Sequence, residues 1–188
     1  IPHIKSIWFT GLSSAGKTTL GQLLADRLTK NGTPCMLIDG NEIRNLFDKR
    51  LGYDIASRRL QTQRVKKLAH WVEKNHILPI VTIIHPFEDD RAKLRREISG
   101  YFEVFLSCDI KECVKRDSKK VYLPAIEGSK KNVVGVDIPF DQPKHSDLIL
   151  NSGNHSPLAL LDQRWAAIQN WPNKSTSVNK AKSLSNNI

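Results

Sequence analysis

The run Gly11-Leu12-Ser13-Ser14-Ala15-Gly16-Lys17-Thr18 carries the spacing Gly-x-x-x-x-Gly-Lys-Thr. Residues of these types at this spacing suit one chemistry, the holding of nucleotide phosphates. Glycines let the backbone curl so that successive N–H groups face phosphate oxygens. A helix starting at Lys17 adds its positive end. Lys17 then reaches the terminal phosphates, and the Thr18 hydroxyl is the candidate ligand for Mg²⁺. A Gly/Ser loop that merely contains a lysine would match the pattern alone. The β-rich run before the loop and the helical spacing after it argue against that reading. The Asn-Lys-x-Asp segment expected for reading guanine is absent from the sequence, so ATP is the expected donor.

A second group follows. Leu37-Ile38-Asp39-Gly40 closes an apolar run, and strand ends in an open parallel sheet face the ligand crevice. Asp39 there could bind Mg²⁺ through water, take the proton of an acceptor hydroxyl, or simply cap the next short helix. Arg44 and Arg58 flank Tyr53 and are placed near the beginnings of helical segments, where an anion would sit. The neighbouring Arg59, Arg64, Lys66 and Lys67 have solvation as their default role. Further on, Arg116-Asp117 ends a helical run. The basic segment 119–131 after it, with Gly128 and Gly135 as hinges, reads either as a flap over the cleft or as an ordinary exposed loop.

These groups need elements to hold them. Strand-like runs fall at 5–10, 34–39, 77–84, 101–107 and 147–150. Helical periodicity covers 17–30, 53–75, 88–99, 110–117 and 157–170. Leu60, Val65, Leu68, Ala69 and Val72 are expected on the inner side of the second helix, and Leu158, Leu161, Trp165 and Ile168 on that of the last. Residues 118–143 show no clean period and read as a long loop with little regular structure. The alternation implies an α/β fold of the P-loop NTPase type, three layers α/β/α around a mostly parallel sheet. Residues 1–171 form the one expected domain, and 172–188, rich in Asn, Lys and Ser, a flexible polar tail.

Composition agrees. The 188 residues are 39% apolar and 26% charged, enough for a core and against wholesale disorder. No apolar stretch is long enough for a membrane-spanning helix, and no signal-type segment opens the sequence, although it begins at Ile1 rather than Met. Lys and Arg outnumber Asp and Glu by 29 to 19, giving +10, which attracts phosphates of any kind. A nucleic-acid-binding module would use that charge, but the interleaved aromatic platform and zinc-finger spacing are missing and the phosphate loop would go unexplained. Three cysteines without paired spacing read as reduced, mostly buried thiols of a cytoplasmic protein. The histidines show no metal-ligand spacing, so no transition metal is expected.

In its order of motifs the chain resembles the adenylylsulfate (APS) kinases. The matching residues are Gly11 to Thr18 with Thr19, Leu37-Ile38-Asp39-Gly40 with Arg44, Leu51-Gly52-Tyr53 with Arg58, Pro86-Phe87 with Asp90-Arg91, Phe102-Glu103-Val104-Phe105, Cys113 with Arg116-Asp117, Tyr122, and Gly135-Val136-Asp137. The likeness runs from about residue 7 to 150. It implies a kinase using ATP with Mg²⁺ that phosphorylates the ribose 3′-hydroxyl of APS, with Lys17 and Asp39 catalytic. It implies that Gly11, Ser13, Ser14, Ala15, Gly16, Lys17, Thr18 and Thr19 hold the phosphates and that Arg116 lies against the ATP base. It further implies an acceptor site of Arg44, Tyr53, Arg58, Gln61, Ile84, His85 and Val133, a lid at about 118–136, and a homodimer.

The chain departs from the family pattern on the acceptor side. Asn41 stands where a second Asp is usual, leaving Asp39 with Glu42 as a weaker substitute. Gln61 replaces an Asn, His85 a Ser, and Leu123-Pro124 two lid lysines. Val133 stands where an aromatic side chain stacks on the adenine of APS. Residues 132–137 also resemble a branch acting on cytidine diphosphoramidate, a second candidate acceptor. A pseudokinase that binds ATP without transfer is the further alternative that Asn41 raises.

Overall fold

The computed structural model describes residues 4–169. The expected tail at 172–188 lies outside them. Five strands, β1 (Ser6–Thr10), β2 (Cys35–Asp39), β3 (Leu78–Thr82), β4 (Tyr101–Ser107) and β5 (Leu148–Asn151), make one sheet in the order β2-β3-β1-β4-β5. All its pairings are parallel. The helices are α1 (Lys17–Lys30), α2 (Gly40–Asn45), α3 (Ile55–Lys74), α4 (Glu88–Glu97), α5 (Ile110–Lys115), α6 (Tyr122–Ile126) and α7 (Pro157–Gln169).

Side-chain alternation along each strand sorts the core into two layers. Ile7 and Phe9 of β1 join Ile80, Phe102, Val104 and Leu106 against Leu20, Leu24 and Leu28 of α1 and Leu160, Leu161 and Ile168 of α7. Trp8, between them, points to the other face with Ile38 and Val81, against Val65, Ala69 and Val72 of α3 and Leu94 of α4. Both faces are covered, so the strands read as nearly continuous apolar runs. The parallel order also brings Thr10, Asp39 and Thr82 to one edge, since β2 and β3 pair Asp39 with Thr82. No described helix is long and apolar enough to cross a membrane.

Three expectations are corrected. The segment 118–143 contains α6 and a parallel bridge between Val134 and Ile138. The reason is local: the Asp117 carboxylate accepts from the N–H groups of Val121 and Tyr122, capping a short helix, and Pro124 sits in its first turn, where no amide donor is needed. Leu60 is 50% exposed, while Arg58, Gln61 and Thr62 are buried. The first turns of α3 lie beside a cleft, so their inner face is polar. Leu158 is 52% exposed and Leu160 is buried instead, while Leu161, Trp165 and Ile168 face the core as expected.

Arg91 braces the cleft from behind. It is fully buried, and it donates to Glu88 and to the carbonyl oxygens of His85 and Asp141. Its guanidinium also lies 5.4 Å from the Phe140 ring. Removing it strands those acceptors. Arg91→Ala is expected to lower unfolding stability by about 3 kcal/mol. Urea denaturation checks this, and a loss under half that size would mean the carbonyls find water instead.

Candidate active site

The phosphate loop joins β1 to α1. Gly11 has φ +143°, and a Cβ there would lie 2.7 Å from the carbonyl oxygen of Leu106, so only glycine fits. Gly16 caps α1 at φ +94° and Ser14 is held at φ +61°. These left-handed residues curl the chain. The backbone N–H groups of Ser14, Gly16, Lys17, Thr18 and Thr19 have no hydrogen-bond partner among the described residues. They form a row of free donors at the start of a long helix.

The Lys17 ammonium donates to the carbonyl oxygen of Leu12 at 2.5 Å. Burial lowers its pKa to about 8, against a smaller raising effect from Cys113 and Asp39. Asp39 is also buried, which raises its pKa, but hydrogen bonds outweigh this and leave it lower than usual. Its Oδ2 accepts from Thr18 Oγ1 and from Thr82 Oγ1, both at 2.7 Å. Its Oδ1 accepts from the Asn41 N–H at 2.9 Å. Asp39 is therefore the N-cap of α2 and a cleft carboxylate at once.

The Thr18–Asp39 pair also tests whether Mg²⁺ fits. Two hard oxygen donors lie in contact beside the loop. No cluster of three or more His, Cys, Asp or Glu ligands occurs among the described residues. That donor set suits Mg²⁺, which keeps waters and takes phosphate oxygens rather than a full protein cage.

A cavity of about 640 Å³ opens from the loop. Of the expected residues, Ser13, Ser14, Gly16, Lys17, Thr18, Thr19, Asp39, Arg44, Tyr53, Arg58, Gln61, Ile84, His85, Arg116 and Val133 line it. Gly11 and Ala15 do not: the Gly11 N–H donates to Ile84 and the Ala15 N–H to Leu12, and the Ala15 side chain is buried. Both shape the loop from behind. Glu42 is absent from the lining, whereas Asn41 is part of it.

Across the cavity stand two guanidinium groups without ion pairs among the described residues. Arg44 donates to the carbonyl oxygens of Leu51 and Gly52, at 3.1 and 2.9 Å. Arg58 donates to those of Tyr53 and Asn132, each at 2.7 Å. Tyr53 stacks between them, 4.5 Å from Arg44 and 5.6 Å from Arg58. Burial and the nearby Arg44 lower the Arg58 pKa to about 10. Two close cations held by carbonyl oxygens and the Tyr53 ring, with no carboxylate bridge among the described residues, suit an anion. Arg58 lies in the first turn of α3 as expected, but Arg44 lies in the last turn of α2, not near its start.

Further along the wall, Gln61 donates to the Gly40 carbonyl oxygen at 3.2 Å, and its own Oε1 is buried and unpartnered. His85 is buried at φ +51° with both ring nitrogens unpartnered. Burial, with Arg91 nearby, lowers its pKa to about 3, so it is neutral. Val133 is buried and aliphatic. At the far edge Arg116 is fixed by the carbonyl oxygens of Ser152 and Gly153, each at 2.8 Å. Lys119, Lys130 and Lys131 bring the basic flap to the same cavity. Sequence reasoning missed Thr82 as a site residue. Its signal was a position at the end of an apolar run, which becomes meaningful only once β3 is known to pair with β2.

A phosphate loop on a parallel five-stranded sheet, facing an arginine pair under a basic flap, defines a phosphate-loop kinase. Comparison with known proteins narrows the class. The family model for adenylylsulphate kinase matches residues 4–151. An adenylyl-sulfate kinase of Picosynechococcus is 33% identical over 143 residues, 76% of this chain and 81% of the relative. A cytidine diphosphoramidate kinase of Campylobacter jejuni is 35% identical over 151 residues, 80% of this chain and 86% of the relative. The structure of a Mycobacterium tuberculosis APS kinase in complex with AMPPNP and APS superposes with a TM-score of 0.82 at 29% identity, covering 90% of this chain and 99% of that one. The chain belongs to the adenylylsulphate kinase family.

The lowered Lys17 pKa has a measurable consequence. Between about pH 8 and the usual lysine range the free protein holds Lys17 neutral, and a bound polyphosphate draws a proton back to it. Binding of Mg–ATP near pH 9 should therefore take up protons, and affinity should fall as pH rises through 8. Calorimetry in buffers of differing ionisation heat reads this. A binding heat independent of buffer at pH 9 would contradict it.

Proposed function

We propose that this protein transfers the γ-phosphoryl group of ATP to the ribose 3′-hydroxyl of adenylyl sulfate, giving ADP and the 3′-phosphorylated product of sulfate assimilation. One observation carries the reading. Free loop amides and Lys17 face the unpaired Arg44 and Arg58 across a single cavity. One wall suits a triphosphate, and the other suits an anionic acceptor.

The roles follow from the contacts. The free amides of Ser14, Gly16, Lys17, Thr18 and Thr19 and the Lys17 ammonium neutralise the terminal phosphates. Thr18 would hold Mg²⁺, with Asp39 behind it, and the ion would supply charge neutralisation for the transferred phosphoryl group. The lowered pKa of Asp39 keeps it ionised and makes it a weaker base than a free carboxylate. It therefore orients the attacking hydroxyl more than it strips its proton, which suffices for a loose phosphoryl transition state. Arg44 and Arg58 bind the phosphosulfate group, and Arg116 lies against the ATP base. The bond from ribose oxygen to γ-phosphorus forms as that to the bridging oxygen of ADP breaks, and the hydroxyl proton leaves to solvent. Pairing of two copies belongs to this reading and would appear in sedimentation as twice the chain mass.

A second acceptor is favoured by one observation. Val133 offers an aliphatic wall where an aromatic ring would stack on adenine, while Gln61 and His85, which line the same cavity, leave polar atoms unpaired. A smaller base with more hydrogen-bonding edge per area, as in cytidine diphosphoramidate, suits such a wall. Transfer of labelled phosphate from ATP to each compound in parallel decides. Faster turnover of adenylyl sulfate supports the first reading, and turnover of the cytidine compound alone overturns it. Binding of Mg–ATP with transfer to no nucleotide in a wider panel would mark a pseudokinase.

Two substitutions separate the walls. Lys17→Ala should abolish transfer. Arg44→Ala should raise the acceptor KM at least tenfold, the weight of a charged hydrogen bond, with the ATP KM nearly unchanged. Movement of the ATP KM instead would mean that the two pockets are reversed.

A further inference from the structure

The phosphate loop contains a conformational problem. Ser14 has a side chain and yet sits at φ +61°, in the region that favours glycine. Its N–H is one of the free donors facing the cavity. Something must hold that peptide in place before a ligand arrives.

The support comes from a distant part of the chain. The Tyr122 hydroxyl donates to the carbonyl oxygen of Ser13 at 3.0 Å. The Tyr122 side chain is fully buried in the core layer that includes Ala15, Cys113, Ala125 and Val133. Its backbone is pinned too, because the Asp117 carboxylate accepts from the N–H groups of Val121 and Tyr122. Burial raises the Tyr122 pKa, so the hydroxyl stays a donor through the working pH range.

A trans peptide is planar, and its carbonyl oxygen and N–H point opposite ways. Fixing the Ser13 oxygen against Tyr122 therefore aims the Ser14 N–H away from Tyr122, into the cradle. We propose that Tyr122 is a positioning residue for phosphate binding: it ties the basic flap to the loop, so that the Ser14 amide is set only while the flap is docked. Lys119 reaches the cavity from the same segment. Flap charge and loop geometry then arrive together. The claim rests on the phosphate-cradle reading above.

Tyr122→Phe keeps the ring and its packing and removes only the hydroxyl. In the ligand-free full chain the ¹H–¹⁵N signal of Ser14 should shift and broaden, while signals of β4 stay in place. The Kd for Mg–ATP by calorimetry should weaken about five-fold, the weight of one lost hydrogen bond, with the acceptor KM unchanged. If Tyr122→Phe fails to fold, Asp117→Ala loosens the same α6 anchor and should weaken Mg–ATP binding in the same direction. An unmoved Ser14 signal with unchanged Kd in the folded variant overturns the proposal. Failure of the unsubstituted protein to bind Mg–ATP would instead overturn the cradle reading, and this proposal with it.

Discussion

The structure depends on one constraint: a stretch of backbone must stay curled with its donors unpaired. Free N–H groups at Ser14, Gly16, Lys17, Thr18 and Thr19 and a left-handed φ at Ser14 are each unfavourable in isolation. They persist because the surroundings leave no alternative. β1 and β4 pair from Ser6 to Thr10, the Gly11 N–H is held by Ile84, and α1 packs on Phe9 and Ile80 through Leu20 and Leu24. At the loop the layers withhold hydrogen bonds from the N–H groups of Ser14, Gly16, Lys17, Thr18 and Thr19, and a polyphosphate can supply them.

A similar constraint runs through the opposite wall of the cavity. Asp39 connects β2, α1 and β3 through Thr18 and Thr82, and starts α2 through Asn41. One carboxylate thereby fixes the strand edge, the Thr18 hydroxyl and the short helix that carries Arg44. Arg58 plays the corresponding part on α3, tying Tyr53 to Asn132 of the flap. The guanidinium pair is cationic, partly desolvated and supported by carbonyl oxygens and the Tyr53 ring, with no ion pair among the described residues. That arrangement is poorly balanced for a free protein and well balanced once an anion is bound.

Much of this was legible in the sequence, and the exceptions share a cause. The Gly-x-x-x-x-Gly-Lys-Thr spacing gave the loop, because glycine and lysine are demanded there by backbone geometry and charge. Helix α1 and strand β4 fall at their expected bounds because their apolar periods are clean. The sheet order was not legible, since it depends on which strand lies beside β1, and with it Thr82 stayed hidden. Leu60 misled because α3 borders a cleft rather than core at its first turns, so periodicity there reports burial of Arg58, Gln61 and Thr62 instead of apolar residues. Helix α6 was masked by a Pro-containing pentapeptide whose cap, Asp117, lies before it. The contact from Tyr122 to Ser13 joins residues 109 positions apart and leaves no pattern in either segment.

The central claim is that one cavity seats a triphosphate on the loop and an anionic nucleotide on the arginine pair, with the ribose hydroxyl between. A crystal structure of the protein with Mg²⁺, a non-hydrolysable ATP analogue and adenylyl sulfate tests it most directly. The account predicts phosphate oxygens on the amides of Ser14, Gly16, Lys17 and Thr18 and on the Lys17 ammonium, the phosphosulfate on Arg44 and Arg58, and the 3′-hydroxyl beside Asp39. A triphosphate seated elsewhere, or an acceptor whose anionic group lies away from both arginines, would contradict it.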